Sequence, residues 1–108
     1  VLVAALIGTT EELVFRGFIQ DMVKTINTPF SILFSTLAHT SYKCCLFLSP
    51  MAAAEIDIRF LALWTFVAGI LFGTIKHFSK SILPPVIAHA IFDILVYAGF
   101  VNPPWWVW

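Results

Sequence analysis

The chain has 108 residues, of which 60% are hydrophobic and 11% are charged, and its formal net charge is zero. A soluble domain has about 25% charged residues, and a water-soluble fold of this length could not bury so much apolar surface. The absence of net positive charge also argues against a nucleic-acid-binding protein. The composition therefore predicts a protein that lies in a lipid bilayer, with membrane lipid as a partner and no nucleic acid.

Prolines and polar residues divide the apolar sequence into four predicted helices, at residues 1–26, 30–49, 59–78 and 82–101. The first helix has no charge in its opening eight residues and is amphipathic in its second half. The other three have about the length that crosses a bilayer. We therefore expect an all-α, polytopic membrane helix bundle that forms one transmembrane domain.

The chain is expected to be a part of a longer, multi-pass integral membrane protein. Val1 is not an initiator methionine, and the apolar opening stretch is too short to span a bilayer by itself. Further N-terminal helices are therefore expected, although residues 1–108 are treated as one domain. Within the third helix, Gly69 and Gly73 have the spacing that lets two helices approach closely, which predicts a tight helix contact there.

Ionisable side chains interrupt three of these apolar helices, and charge in that setting is costly unless it is paired or functional. The residues are Glu11, Glu12, Arg16, His39, His89 and Asp93. At a rise of about 1.5 Å per residue, Glu11, His39 and His89 fall roughly 20, 15 and 10 Å from the same end of the bundle. Because helix tilt can offset these differences, we hypothesise that the three side chains meet in one layer.

Two pairs among these residues are four positions apart and therefore share a helix face. Glu12 can pair with Arg16, whereas Glu11 points about 100° away toward another neighbour. His89 can contact Asp93. Purely structural interpretations stay open, namely that both glutamates partner Arg16 and that His89 makes an interhelical hydrogen bond. The combination of a carboxylate with histidines on two other helices favours a catalytic site.

Two kinds of chemistry are compatible with these residue types. In the first, Glu11 is the general base for a water that His39 helps to hold, and His89 stabilises the oxyanion of a tetrahedral intermediate. In the second, the histidines and a glutamate bind zinc, which activates the water. No HExxH motif occurs, so the spacing does not favour zinc. We expect no cofactor and keep zinc as the alternative.

Three motifs in this order resemble the CPBP family of intramembrane proteases, which includes the CAAX prenyl endopeptidases and the Abi proteins of bacteriocin self-immunity. The motifs are Glu11-Glu12-Leu13-Val14-Phe15-Arg16-Gly17, Leu37-Ala38-His39 and Ile87-Ala88-His89-Ala90-Ile91-Phe92-Asp93. The stretch Ala68-Gly69-Ile70-Leu71-Phe72-Gly73 is also similar to the family. The resemblance covers about residues 5–98.

The resemblance implies hydrolysis of a peptide bond in a membrane-associated protein or peptide, including prenylated CAAX substrates. Carried over by position, it implies that Glu11 activates the water with the help of His39. It also implies that Glu12 and Arg16 support this geometry. The family has been described as metal-dependent, but a glutamate-activated water without a metal is the mechanism that we favour.

The chain departs from the family pattern at two positions. The resemblance implies that His89 and Asp93 stabilise the oxyanion, but the family often has Asn at the second position, and an ionised carboxylate cannot donate a hydrogen bond. Asp93 is therefore expected either to be protonated or to orient His89 as an acceptor. The family usually has Phe four residues before the second-motif histidine; here that residue is Ser35, with Phe34 rotated by about 100° from that position.

Two functions outside proteolysis stay open from the sequence. One is a non-catalytic membrane immunity or scaffold protein that retains the polar cluster of the family. The other is a proton-coupled carrier, because Glu, Asp and His inside a membrane can relay protons. The chain has no pair of symmetric, interrupted halves, which disfavours the carrier.

Overall fold

The structure is a computed structural model that describes residues 1–52, 55–99 and 102–108. Among these residues all regular elements are helical, which confirms the predicted all-α class. The main helices are α1 at residues 2–23, α2 at Thr28–Leu48, α3 at Ile58–Ser79 and α4 at Leu83–Ala98. A short 3-10 helix, Pro50–Ala52, follows α2. The predicted last helix included residues 100 and 101, which lie outside the described residues, and α4 ends at Ala98.

Helix α1 changes its hydrogen-bonding pattern within the segment that carries the first motif. It is α-helical over Leu2–Glu12, π-helical over Leu13–Ile19 and α-helical again over Gln20–Val23. The sequence predicted one helix over residues 1–26, and its π-helical segment was not predicted, because a wider turn leaves no mark in the apolar pattern. π-Helical turns are frequent at functional sites. Here the turn begins directly after the two adjacent glutamates.

Side-chain caps explain where α2 and α3 begin. The side-chain oxygen of Asn27 accepts a hydrogen bond of 2.8 Å from the backbone N–H of Phe30. Asp57 accepts one of 2.8 Å from the backbone N–H of Arg59. Such caps satisfy N–H groups that have no partner inside the helix. At its other end α3 stops at Lys80, whose φ of 54° lies in the left-handed region.

The interior of the bundle is polar and its outer surface is apolar. Buried polar side chains come from all four helices: Glu11, Glu12, Arg16, Gln20, Ser31, Ser35, Thr36, His39, Lys43, Thr65, His89 and Asp93. Large apolar side chains such as Leu2, Phe18 and Leu95 are more than half exposed. A protein that folds in water buries its apolar side chains. The observed distribution instead suits an outer surface that faces lipid.

The predicted membrane-spanning helices differ in length and polarity. Among the described residues, Ile58–Ser79 is the helix that is long and apolar enough to cross a membrane. Leu83–Ala98 is apolar but has only 16 residues. Thr28–Leu48 has 21 residues, which is enough, but its buried face is polar.

An apolar cluster closes the end of the bundle at which α1 begins and α2 and α4 end. It consists of Ala4, Phe47, Tyr97 and Val107, all of them buried. The C-terminal segment folds against this cluster, and the indole N–H of Trp106 donates a hydrogen bond of 2.9 Å to the carbonyl oxygen of Ala52. The cluster joins α1, α2 and α4, so it fixes the relative positions of the three helices that carry the ionisable residues.

Helix α3 approaches its neighbours most closely at its two glycines. A Cβ atom at Gly69 would lie 2.7 Å from Cγ2 of Thr36 and 2.9 Å from Nη2 of Arg16. A Cβ atom at Gly73 would lie 3.0 Å from Oε1 of Gln20. These distances confirm the close contact that the glycine spacing predicted. They also show that the contact includes polar side chains of α1.

Gly69→Ala is expected to destabilise the protein by about 1–3 kcal/mol, because both Thr36 and the buried Arg16 would have to shift. The matched control is Gly17→Ala, since a Cβ there would meet only the carbonyl oxygen of Glu12, at 3.8 Å. Thermal unfolding in detergent measures both variants. Equal melting temperatures would contradict the role assigned to this contact.

Candidate active site

The six ionisable residues singled out in the sequence converge in the interior of the bundle. Each is at most 4% exposed: Glu11, Glu12, Arg16, His39, His89 and Asp93. They come from three helices, α1, α2 and α4. The structure thus brings together all the side chains for which the sequence predicted a shared site.

Glu11 lies at the centre of this cluster. Its Oε2 atom is 2.9 Å from Nε2 of His39 and 3.5 Å from Nε2 of His89. Its Oε1 atom is 2.8 Å from Nζ of Lys43. The interpretation in which both glutamates partner the arginine of the first motif was wrong, because Glu11 turns toward α2 and α4 instead.

Glu12 and Arg16 form the predicted ion pair, with 3.1 Å between Oε1 and Nη1. Both residues also reach beyond α1. Nη1 of Arg16 lies 3.0 Å from Nδ1 of His39, and Oε1 of Glu12 lies 2.7 Å from Nδ1 of His89. The Glu12–Arg16 ion pair therefore holds Nδ1 of both imidazole rings, and Nε2 of each ring points toward Glu11.

The contact with Arg16 determines the tautomer of His39. A guanidinium group has only N–H donors, so Nδ1 of His39 must accept a hydrogen bond from Nη1 of Arg16. The hydrogen of the neutral ring is then on Nε2, which donates to Oε2 of Glu11 at 2.9 Å. In this arrangement His39 orients the carboxylate and leaves its charge intact.

His89 presents its second nitrogen to two carboxylates. Its Nδ1–H donates to Glu12, and its Nε2 is 3.5 Å from Oδ1 of Asp93 and 3.5 Å from Oε2 of Glu11. Both distances are longer than an ordinary hydrogen bond of about 2.9 Å. Asp93 thus lies on the same helix face as His89, as predicted, and has an acceptor atom directed at the ring.

The aromatic walls of the site come from residues that the sequence analysis quoted within family-like stretches without giving them a role. The ring of Phe15 is 4.7 Å from the His39 ring, and the ring of Phe72 stacks on His89 at 4.9 Å. Phe34 is 45% exposed, and Ser35 is fully buried. The aromatic contact of His39 in this chain is therefore with Phe15 on α1.

A small cavity of about 40 Å³ lies beside these groups. Its polar lining consists of His39, Lys43, Thr65, His89, Asp93 and Tyr97, and the rest is formed by apolar side chains of α3 and α4 and by Ile56, which precedes α3. A cavity needs only about 10–15 Å³ to hold one water. Glu11 does not line the cavity, but its Oε2 atom contacts His39 and His89, which do. A water in this cavity would lie beside the two imidazole rings that contact the carboxylate.

The spacing of three of these groups also suits a metal ion. One ligand atom each from Glu11, His39 and His89 lies within 4.8 Å of the others. The hydrogen-bond pattern does not suit one, because Nε2 of His39 carries its hydrogen and has no lone pair to give. The second oxygen of Glu11 is also paired with Lys43, which would place two cations on one carboxylate. As arranged, the donor set fits a water site better than a metal centre.

Lys43 and Tyr97 are the polar residues of the site that the sequence analysis missed. Nζ of Lys43 is 3.3 Å from the hydroxyl oxygen of Tyr97. A signal for both is present in the sequence. Lys43 follows His39 by four residues, and Tyr97 follows Asp93 by four, so each shares a helix face with a residue that was identified.

Comparison with known proteins gives this site a family. The model of the type II CAAX prenyl endopeptidase Rce1-like family matches residues 1–95, a range that contains all three motifs. The chain belongs to this family. The Rce1-like proteins are membrane-embedded peptidases, and the match confirms the resemblance carried by the motifs. A search of curated proteins and a search of solved structures each found no match.

Proposed function

We propose that this Rce1-like protein is a multi-pass intramembrane endopeptidase. Its substrate class is a membrane-associated protein or peptide, including prenylated CAAX substrates. The observation that carries the proposal is the position of Oε2 of Glu11, within 3.5 Å of Nε2 of both His39 and His89, two residues that also line a cavity large enough for a water. A carboxylate can act as general base toward a water, and the two imidazoles can orient the reacting groups and donate hydrogen bonds, which suits hydrolysis of an amide.

In the proposed reaction Glu11 is the general base. It takes a proton from the water, whose oxygen forms a bond to the carbonyl carbon while the carbonyl π electrons move to oxygen. The proton on Glu11 then passes to the leaving nitrogen, the C–N bond breaks, and a carboxylic acid and an amine are released. His39 holds the carboxylate through its Nε2–H, and this contact is 2.9 Å long.

His89 is proposed to stabilise the oxyanion. The buried cluster has three carboxylates, on Glu11, Glu12 and Asp93, and two fixed cations, Arg16 and Lys43. Its net charge is therefore −1, and one further proton makes it neutral. Nε2 of His89 faces two of these carboxylates, so a proton there is well stabilised. The resulting N–H is a charged donor, and such donors stabilise a developing oxyanion strongly. In this scheme the carboxylate of Asp93 is a hydrogen-bond acceptor that orients the ring of His89.

The proposed mechanism needs no metal, which predicts that chelators leave the reaction unchanged. Cleavage rates with 1,10-phenanthroline or EDTA are expected to stay within about twofold of the untreated rate, since Glu11 acts without an activating ion. Added zinc is expected not to raise them. Loss of activity with chelator and its recovery with zinc would replace this mechanism by the zinc-dependent one.

The proposed activity is tested with the full chain reconstituted in liposomes. A farnesylated peptide that ends in a CAAX sequence is the substrate, and mass spectrometry detects the released C-terminal tripeptide. The same peptide without the farnesyl group is the control that shows whether the lipid is recognised. Release of the tripeptide supports the endopeptidase. An intact peptide, together with specific binding to it, would favour the scaffold function.

A further inference from the structure

Lys43 places a buried ammonium group beside the proposed base. It lies five residues before the end of α2, and its side chain is only about 5% exposed. Nζ lies 2.8 Å from Oε1 of Glu11 and 3.3 Å from the hydroxyl of Tyr97, whose ring centre is 5.9 Å away. A lysine inside an apolar bundle is costly unless specific partners compensate for its lost hydration. None of the three motifs contains Lys43, and the proposed mechanism above counts its charge but gives it no part in holding Glu11.

We propose that Lys43, held by Tyr97, is a positioning residue for Glu11; the inference rests on the proposed function. The two carboxylate oxygens have different partners. Lys43 holds Oε1, while His39 holds Oε2 on the side of His89. With both oxygens held, the carboxylate cannot rotate away from the water. Small displacements of a catalytic group can lower a rate by about 100-fold.

The ammonium group of Lys43 can also compensate the negative charge of the site as that charge moves from Glu11 to the substrate. When Glu11 accepts the proton of the water, its negative charge disappears and one appears on the carbonyl oxygen. Glu11 is faced by His39 and Lys43 from α2 and by His89 from α4, with Asp93 beyond His89. The ammonium compensates the carboxylate before this step and the oxyanion after it. Without Lys43 the site would have an excess negative charge throughout the reaction.

The first test compares Lys43→Met with Lys43→Arg. Met keeps much of the length but loses the charge, so kcat is expected to fall by about 100-fold with KM within about twofold, since Lys43 acts through Glu11 and not on substrate binding. Arg restores the charge, and kcat is expected to return to within about tenfold of the original. The matched control is Lys24→Met, the same change at an exposed position, which is expected to leave kcat unchanged.

Tyr97→Phe is the second variant, and it tests the positioning role of Lys43 if Lys43→Met does not fold. It keeps the ring and removes the hydroxyl that contacts Nζ, so a fall in kcat of about three- to tenfold at unchanged KM is expected. Unchanged kcat in folded Lys43→Met would overturn the inference. If Lys43→Met does not fold, unchanged kcat in Tyr97→Phe would overturn it. If Glu11→Gln is inactive in the same assay, the proposed function survives that result. Activity that persists in Glu11→Gln would remove the function itself.

Discussion

Glu11→Gln is expected to lower kcat for peptide cleavage by about 10²–10⁴-fold, the range that a general base contributes. The amide has the size of the carboxylate but cannot take a proton from water. Its NH₂ group would also face the N–H of His39 or the ammonium of Lys43, which now bind the two carboxylate oxygens. Single-turnover cleavage of the farnesylated peptide measures the effect, because it reports the chemical step separately from product release.

Glu55→Gln is the matched control for this prediction. Glu55 is exposed and lies between α2 and α3, so the same chemical change there is expected to leave cleavage unaffected. Circular dichroism and thermal melting of both variants show whether the protein stays folded. Cleavage by folded Glu11→Gln at more than half of the original rate would rule out Glu11 as the base.

Arg16→Met is expected to have the largest effect on stability, about 3–5 kcal/mol, because it leaves a buried ion without its partner. Arg16 is fully buried, and Nη1 binds both the carboxylate of Glu12 and the Nδ1 acceptor of His39. Removal of the guanidinium leaves Nδ1 of His39 without a donor and removes the cation that pairs with Glu12, whose carboxylate then keeps only the hydrogen bond from Nδ1–H of His89. Thermal or denaturant-induced unfolding in detergent gives the change in stability.

The double variant Glu12→Gln/Arg16→Met separates this effect from catalysis. It removes the unpaired carboxylate, so part of the lost stability is expected to return. Cleavage is expected to stay low, because the carboxylate that holds Nδ1 of His89 is now an amide. If the double variant were no more stable than Arg16→Met, the buried charge of Glu12 would not be the cause of the destabilisation.

Much of the fold and the site could be predicted from local patterns. Apolar stretches of suitable length, separated by prolines, predict the helices to within a few residues, because helix formation depends on neighbours along the chain. The intramembrane cost of charge singles out Glu11, His39 and His89, since a bilayer offers no water to an isolated ion. The same argument applied to Lys43, four residues after His39, would have found the missing cation.

The residue pattern alone predicts an all-α bundle of apolar helices and suggests similar depths for its carboxylates and imidazoles. The contacts among these groups become visible only in the folded bundle. Glu11 contacts His39 and Lys43 rather than Arg16, and the ring of Phe15 lies beside His39. The physical reason is that such contacts depend on how each helix is rotated about its axis and on the π-helical turn in α1, and both are set by packing between residues far apart in the chain.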